Sequence, residues 1–292
     1  MAAKLSKEEA EEYFTRINYS GSKEPTVEVL TELHRCHILS VPFENLSVYG
    51  KEKIELSKEW LFEKIVRRHR GGFCLELNTM FSFLLDYLGF EYTTHAASVL
   101  SRKTGVQGPP VDHPVLMVKI RGELLLTDVG FADSFWLPLR FTGLQEHQEQ
   151  QSGTYRIRKS GDDHIYEEKI KIIVDETGQE KMAKEQFTSP EDPRWVQRYI
   201  FDLIPRKTED FEMLEYHQTN EKSPFTHDRI CTVAKPWGRV TLSGHNIVIT
   251  TFLGDNKVKK DSRNIEGGEH KVVKELEEVF GIRKDCCFYP EG

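Results

Sequence analysis

Three residues of the chain, Cys74, His113 and Asp128, have the types and the setting needed to assemble an activated thiol. Cys74 ends the run Arg70-Gly71-Gly72-Phe73-Cys74 and opens an apolar series. Leu75, Leu77, Met80, Phe81, Leu84, Leu85 and Leu88 recur at helical spacing, and Gly89 is placed as a C-cap. The pattern predicts a buried helix with a thiol at its N-terminus. Unpaired N–H groups and the positive end of the helix dipole favour thiolate there. Two glycines without Cβ atoms let the backbone turn tightly ahead of it. Read alone, this segment suits a core-filling cysteine equally well.

The segment from His113 to Gly130 tips the balance. Two apolar runs flank Arg121-Gly122, which reads as a two-residue hairpin turn. With that turn Ile120 faces Glu123 and Val115 faces Asp128, so His113 becomes a same-face diagonal neighbour of Asp128. Diagonal pairs lie about 7–8 Å apart, within reach of a histidine–carboxylate hydrogen bond. A one-residue slip would put the two on opposite faces. In such a group the acid orients the imidazole, the imidazole takes the thiol proton, and the thiolate attacks an acyl carbon.

The elements that must position these residues change character along the chain. Up to about Gly89 the pattern is helical. A capping-box sequence, Ser6-Lys7-Glu8-Glu9, precedes the first helix, a second follows Pro25-Thr26, and a third follows Ser57. From Glu91 to roughly Asp192 the pattern is β-like, interrupted by polar loops at 101–112 and 146–153. The last third mixes both types, with a hairpin around Ser243-Gly244-His245 and a closing helix over Glu269–Phe280.

At 292 residues the chain can bury a sizeable core in two or three parts. A net charge of −7 argues against nucleic acid as a partner. No apolar run approaches the roughly 18–20 residues that span a bilayer. The N-terminus shows no signal-peptide pattern, so no membrane partner is expected and the cytoplasmic compartment is. Five cysteines, Cys36, Cys74, Cys231, Cys286 and Cys287, form no spaced disulfide framework. His34-Arg35-Cys36-His37 lacks metal-ligand spacing, and no metal is expected.

Several further motifs accompany the cysteine, histidine and aspartate segments: Tyr13-Phe14-Thr15-Arg16-Ile17-Asn18-Tyr19, Val41-Pro42-Phe43-Glu44-Asn45-Leu46, Asp128-Val129-Gly130-Phe131, Pro205-Arg206-Lys207-Thr208-Glu209-Asp210-Phe211-Glu212 and Ser223-Pro224-Phe225-Thr226. Together with the Arg70–Cys74 run they resemble the arylamine N-acetyltransferases nearly end to end, with a Cys74–His113–Asp128 spacing similar to that of the vertebrate members. The resemblance implies an α+β fold. Residues 1–90 would be a helical bundle carrying the nucleophile, 91–200 a β-barrel carrying His113 and Asp128, and 201–292 an α/β lid, around a core like that of the cysteine proteases. It implies ping-pong transfer of acetyl from acetyl-coenzyme A through a Cys74 thioester to an aromatic amine or hydrazine. It further implies Arg70 and Glu44 as a buried brace for the cysteine loop, Phe43 and Phe131 as walls of the acceptor pocket, and Tyr216 as a coenzyme A contact.

Two departures from the mammalian pattern limit what carries over: a short run after Phe131 and an early end after Phe288-Tyr289-Pro290. If Asp133 lines the pocket, anionic acceptors should react poorly. Two other classes stay open on the residues alone. One is a thiol hydrolase or transglutaminase-like enzyme on the same triad; the other is a silent binder of coenzyme A or aromatic ligands.

Overall fold

Short hydroxyl side chains start the helices of the N-terminal third. In the computed structural model, which describes residues 4–141 and 145–283, Ser6 accepts a hydrogen bond from the Glu9 amide while the Glu9 carboxylate accepts one from the Ser6 amide at 2.7 Å. This capping box begins α1 (Lys7–Arg16), and the Thr26 hydroxyl caps α2 (Val27–Ser40) by accepting from the Val29 amide, without a reciprocal bond. A two-residue strand, β1 (Phe43–Glu44), and the single turn α3 (Leu46–Tyr49) follow. Ser57 caps α4 (Lys58–Phe62), which runs on as a π-turn over Glu63–Arg67. Helix α5 (Cys74–Leu88) ends on Gly89, which takes the left-handed cap conformation at φ 77°. All seven of its expected apolar positions are buried, and so are Glu76, Asn78 and Thr79. The helix is enclosed by α1 and α4 on one side and by β-structure on the other, so even its polar positions lose water.

That β-structure is an eight-stranded sheet. Its members are β2 (Glu91–Val99), β3 (His113–Ile120), β4 (Glu123–Thr127), β5 (Leu139–Arg140), β6 (Gln148–Gln150), β7 (Gly153–Ser160), β8 (Asp163–Lys169) and β11 (Trp195–Phe201), in the order β5-β4-β3-β2-β11-β8-β7-β6. It curls until its two edges nearly meet. The Gln148 side-chain amide donates to the Arg140 carbonyl and accepts from the Arg140 amide, and Gln150 does the same at Leu137. These side chains take the place of a main-chain ladder and make the sheet barrel-like. The expected loop at 146–153 therefore contains a strand. Glutamines give no apolar alternation, but at an edge they do not need to.

A second sheet gathers strands from all parts of the chain. β12 (Ile230–Lys235), β13 (Gly238–Ser243), β14 (Asn246–Gly254) and β15 (Lys257–Asn264) run antiparallel, flanked by β1 on one side and by β9 (Ile172–Val174) and β10 (Glu180–Met182) on the other. The hairpin expected around Gly244 joins β13 to β14. Between β11 and β12 lies the short helix α6 (Met213–Thr219). The closing helix α7 (Glu269–Phe280) forms as read and buries Val272, Leu276 and Phe280 against Cys231, Val233, Leu242 and Ile247. Among the described residues no helix is long and apolar enough to cross a membrane. Cys286, Cys287 and the Phe288-Tyr289-Pro290 ending lie outside the described residues.

Candidate active site

The β3–β4 hairpin has the expected register. Arg121 and Gly122 take φ 50° and 86°, both positive as a type I′ turn requires, and Ile120 pairs with Glu123. The ladder runs to Leu116 opposite Thr127, so the next residue, Asp128, falls beside Val115 and diagonal to His113. His113 Nε2 lies 2.7 Å from Asp128 Oδ2. That bond commits Nε2 and leaves Nδ1 as the ring nitrogen for the thiol.

Asn78, one turn beyond Cys74 on α5, ties the hairpin to the helix. Its Nδ2 donates to the Pro114 carbonyl at 2.7 Å and to Asp128 Oδ1 at 2.8 Å, and its Oδ1 accepts from the Val129 amide at 2.9 Å. Gly130 sits so close to the helix start that a Cβ there would come within 2.9 Å of Cys74 Cα and of its carbonyl oxygen. The acid segment is thereby docked on the first turn of the cysteine helix, bringing Cys74, His113 and Asp128 to one place. Behind it, His34 Nε2 accepts from the Asp128 amide at 3.2 Å while Nδ1 donates to the Trp136 carbonyl. Burial pushes the His34 imidazole down to about 4, which keeps it neutral for this acceptor role. For Asp128, burial alone would raise the carboxyl; the His113 charge and hydrogen bond, with those of Asn78 and Gly130, outweigh it and hold it below its ordinary value.

The loop before Cys74 rests on buried charge. Glu44, on β1, accepts from Arg70 Nε at 2.9 Å and Nη2 at 3.1 Å, from the Gly71 amide, and from the Leu46 amide. Both side chains are fully buried. Burial would raise the Glu44 carboxyl, but Arg70 and then Lys64 bring it down to about 2. Lys64, from the π-turn, also reaches Glu76 at 2.6 Å, and Glu76 accepts from the Phe73 amide that begins α5. The glycines serve close approach rather than a positive φ. A Cβ on Gly71 would lie 1.8 Å from the Pro42 carbonyl oxygen, and one on Gly72 would strike the Glu76 side chain.

The thiol corrects one expectation. Burial first, then the charges of Asp112 and Asp128, push the Cys74 thiol well above its ordinary value. The N–H groups of Leu75 and Cys74 pull it down, as a helix start should, and lose. The first-turn amides of the helix thus pull toward thiolate but are outweighed by desolvation. Cys74 keeps 7% of its surface exposed against 1% for His113 and none for Asp128, so the sulfur is the member of the group that an incoming molecule meets.

Phe131 stands edge-on to His113 at 5.3 Å and to Tyr199 at 5.2 Å. Phe43 and Phe131 share a crevice with Ile38, Val41 and Arg239. Its free volume is about 20 Å³, room for a water but not for an aromatic ring, and neither Cys74 nor His113 lines it. A larger surface hollow of about 650 Å³ lies between α1 and the π-turn, away from the sulfur. Asp133 does not give this neighbourhood a net negative charge. The Asp133 side chain is more than half exposed, and Arg239, 3.2 Å away, then Arg198 and Lys171, hold its carboxyl far below the carboxylate range. The Arg198 guanidinium also lies over the Phe131 ring at 5.2 Å. The expected penalty on anionic acceptors thus loses its basis. Tyr216 lies on α6, partly exposed, beside His217. Among the described residues no group of three or more His, Cys, Asp or Glu gathers as metal ligands.

Lys64, Glu76 and Asn78 were not singled out from sequence, and His34 was weighed only as a metal ligand. Asn78 carried a signal: a lone amide in an apolar helical run, one turn from the cysteine. Lys64 and Glu76 gave none, and nothing in the sequence pointed to the role of His34 behind Asp128, because these partners are set by the tertiary fold.

The N-acetyltransferase family model matches residues 26–286. A pineal-gland isozyme of arylamine N-acetyltransferase from Gallus gallus is 32% identical over 296 residues, covering 96% of both chains. Arylamine N-acetyltransferase 1 of Homo sapiens is 31% identical over 281 residues, covering 93% of both. Among solved structures, the arylamine N-acetyltransferase from Salmonella typhimurium superposes with a TM-score of 0.79 at 26% identity, covering 96% of this chain and 92% of its own. That of Mycobacterium marinum in complex with CoA gives 0.77 at 26% identity, covering 94% and 92%. The chain belongs to the arylamine N-acetyltransferase family.

Proposed function

We propose that this family member carries acetyl from acetyl-coenzyme A to an aromatic amine or hydrazine through a thioester on Cys74, with His113 as base and Asp128 as its orienting acid. The observation that carries the assignment is the docking of the His113–Asp128 pair on the first turn of α5, through Asn78 and Gly130. The Cys74 proton passes to His113 Nδ1, the thiolate attacks the acyl carbon, and Asp128 stabilises the imidazolium. Coenzyme A leaves as its thiol. The amine then attacks the thioester, and His113 collects its excess proton. The Phe43 and Phe131 rings would face the acceptor and limit water at the acyl-enzyme.

The Arg70–Glu44 pair fixes the loop ahead of Cys74. Tyr216 is assigned to coenzyme A on the resemblance alone. The chain divides on this reading into a helical part to residue 90, a barrel part to 200 and a lid beyond, with a cysteine-protease-like core and a cytoplasmic setting. Intact mass and peptide mapping after brief exposure to acetyl-coenzyme A test it. An acetyl group on Cys74, discharged by an arylamine and absent from Cys74→Ala, is expected. No adduct and no released coenzyme A would return the assignment to a thiol hydrolase on the same triad.

A further inference from the structure

A second histidine–aspartate pair stands against the same loop. His217 Nε2, on α6, lies 2.8 Å from Oδ1 of Asp112, the residue just before His113. Its Nδ1 is 3.3 Å from Ser223 Oγ, so both ring nitrogens are engaged. The ring packs edge-on against Phe73 at 6.0 Å and Phe225 at 5.1 Å. Phe73 is the N-cap residue of α5, immediately before Cys74. His217 is 5% exposed and Ser223 is fully buried. A polar ring placed there is costly unless its hydrogen bonds are met, and here they are met by Asp112, just before His113, and by Ser223 of the loop after α6, while the ring itself packs on Phe73. One imidazole thus joins α6 to the residue preceding His113 and to the residue preceding Cys74.

We propose that Asp112 and His217 are a positioning pair that docks α6 on the nucleophile loop and, through the Asp112 charge, sets the pH at which Cys74 becomes reactive. This rests on Cys74 being the nucleophile. Asp112 is one of the two carboxylates whose charge disfavours the thiolate, and the N–H of His217 offsets part of that charge. The other titratable groups facing the sulfur are His113 from β3 and Asp128 from the segment after β4. Glu76, on the helix of Cys74 itself, is turned to Lys64, which also lies 4.0 Å from Glu44. Besides Asp112, the titratable side chain at His217 is Tyr216 of its own helix.

The test is the pH profile of Cys74 alkylation by iodoacetamide, followed by peptide mass on the full chain. Asp112→Asn should move the midpoint toward acid by about one unit as the like charge is removed. His217→Leu should move it toward alkali, and the double variant should follow Asp112→Asn. His217→Gln, which keeps a donor, should stay near the parent. Midpoints equal to the parent's in both single variants, folded by circular dichroism, overturn the proposal. Alkylation does not involve acetyl-coenzyme A. Split midpoints in a protein that never acquires acetyl would therefore sink the transferase reading and keep this one; unshifted midpoints in a protein that acylates normally would do the reverse.

Discussion

The two histidine–aspartate pairs are nearly equal in length, 2.7 Å for His113–Asp128 and 2.8 Å for His217–Asp112, and differ in what surrounds the acid. Asp128 has no exposed surface, and its Oδ1 takes further bonds from Asn78 and the Gly130 amide. The Asp112 side chain keeps 14% of its surface exposed. A buried carboxylate with several donors is fixed in place and stays charged, so it can hold an imidazole in one tautomer through a reaction cycle. A carboxylate at the edge of the solvent acts on its neighbours mainly through its charge. The same two residue types therefore take a chemical role in one place and a tuning role in the other.

Substitution of the acids separates the roles most sharply. Asp128→Asn should lower kcat/KM by about 10⁴, since the amide favours the wrong tautomer and cannot stabilise imidazolium. Asp112→Asn, measured at its own pH optimum with the same acetyl-coenzyme A and arylamine, should lose less than about tenfold. Equal losses would erase the distinction.

Both pairs border a loop that rests on Glu44. Glu44→Gln leaves Arg70 and Lys64 short of their counter-charge and should cost about 3–5 kcal/mol in urea unfolding. The sign of its pH dependence follows from the folded value of about 2 against 4.5 ordinarily. A lowered carboxyl contributes stability that is present above 4.5 and is lost as pH falls toward 2. Unfolding of Glu44→Gln should lose that component of the acid slope; an unchanged slope would show that the carboxylate contributes nothing there.

Removing the link between helix and hairpin is a smaller perturbation. Asn78→Ala takes one donor from Asp128 and leaves the Val129 amide unpaired, a penalty of about 1–3 kcal/mol that should appear as a 10- to 100-fold fall in kcat. The alkylation midpoint governed by Asp112 should move less than in Asp112→Asn. A kcat at the parent's level would mean that His113 and Asp128 hold each other without help. The mildest expectation concerns the acceptor. With Arg198 and Arg239 beside Asp133, p-aminobenzoate should match an uncharged isostere within about threefold in kcat/KM. A tenfold disadvantage would restore Asp133 as a selecting charge.

What the sequence by itself determined is local. Arg121-Gly122 enforces a turn, the turn enforces the register, and the register places His113 diagonal to Asp128, because side chains alternate along a strand with a period of two. The period of the leucines and Gly89 delimits α5 in the same way, and Ser6, Thr26 and Ser57 announce their helices. The tertiary structure decided what no local pattern encodes. Lys64 meets Glu76 only because a π-turn packs beside α5, and Asp112 meets His217 across 105 positions of chain. Gly71 must be glycine because the Pro42 carbonyl passes where its Cβ would be. The Cys74 thiol shows the limit most clearly. A helix start predicts a lowered pKa, yet desolvation is the sum of everything packed around the sulfur, and it exceeds the pull of the first-turn amides.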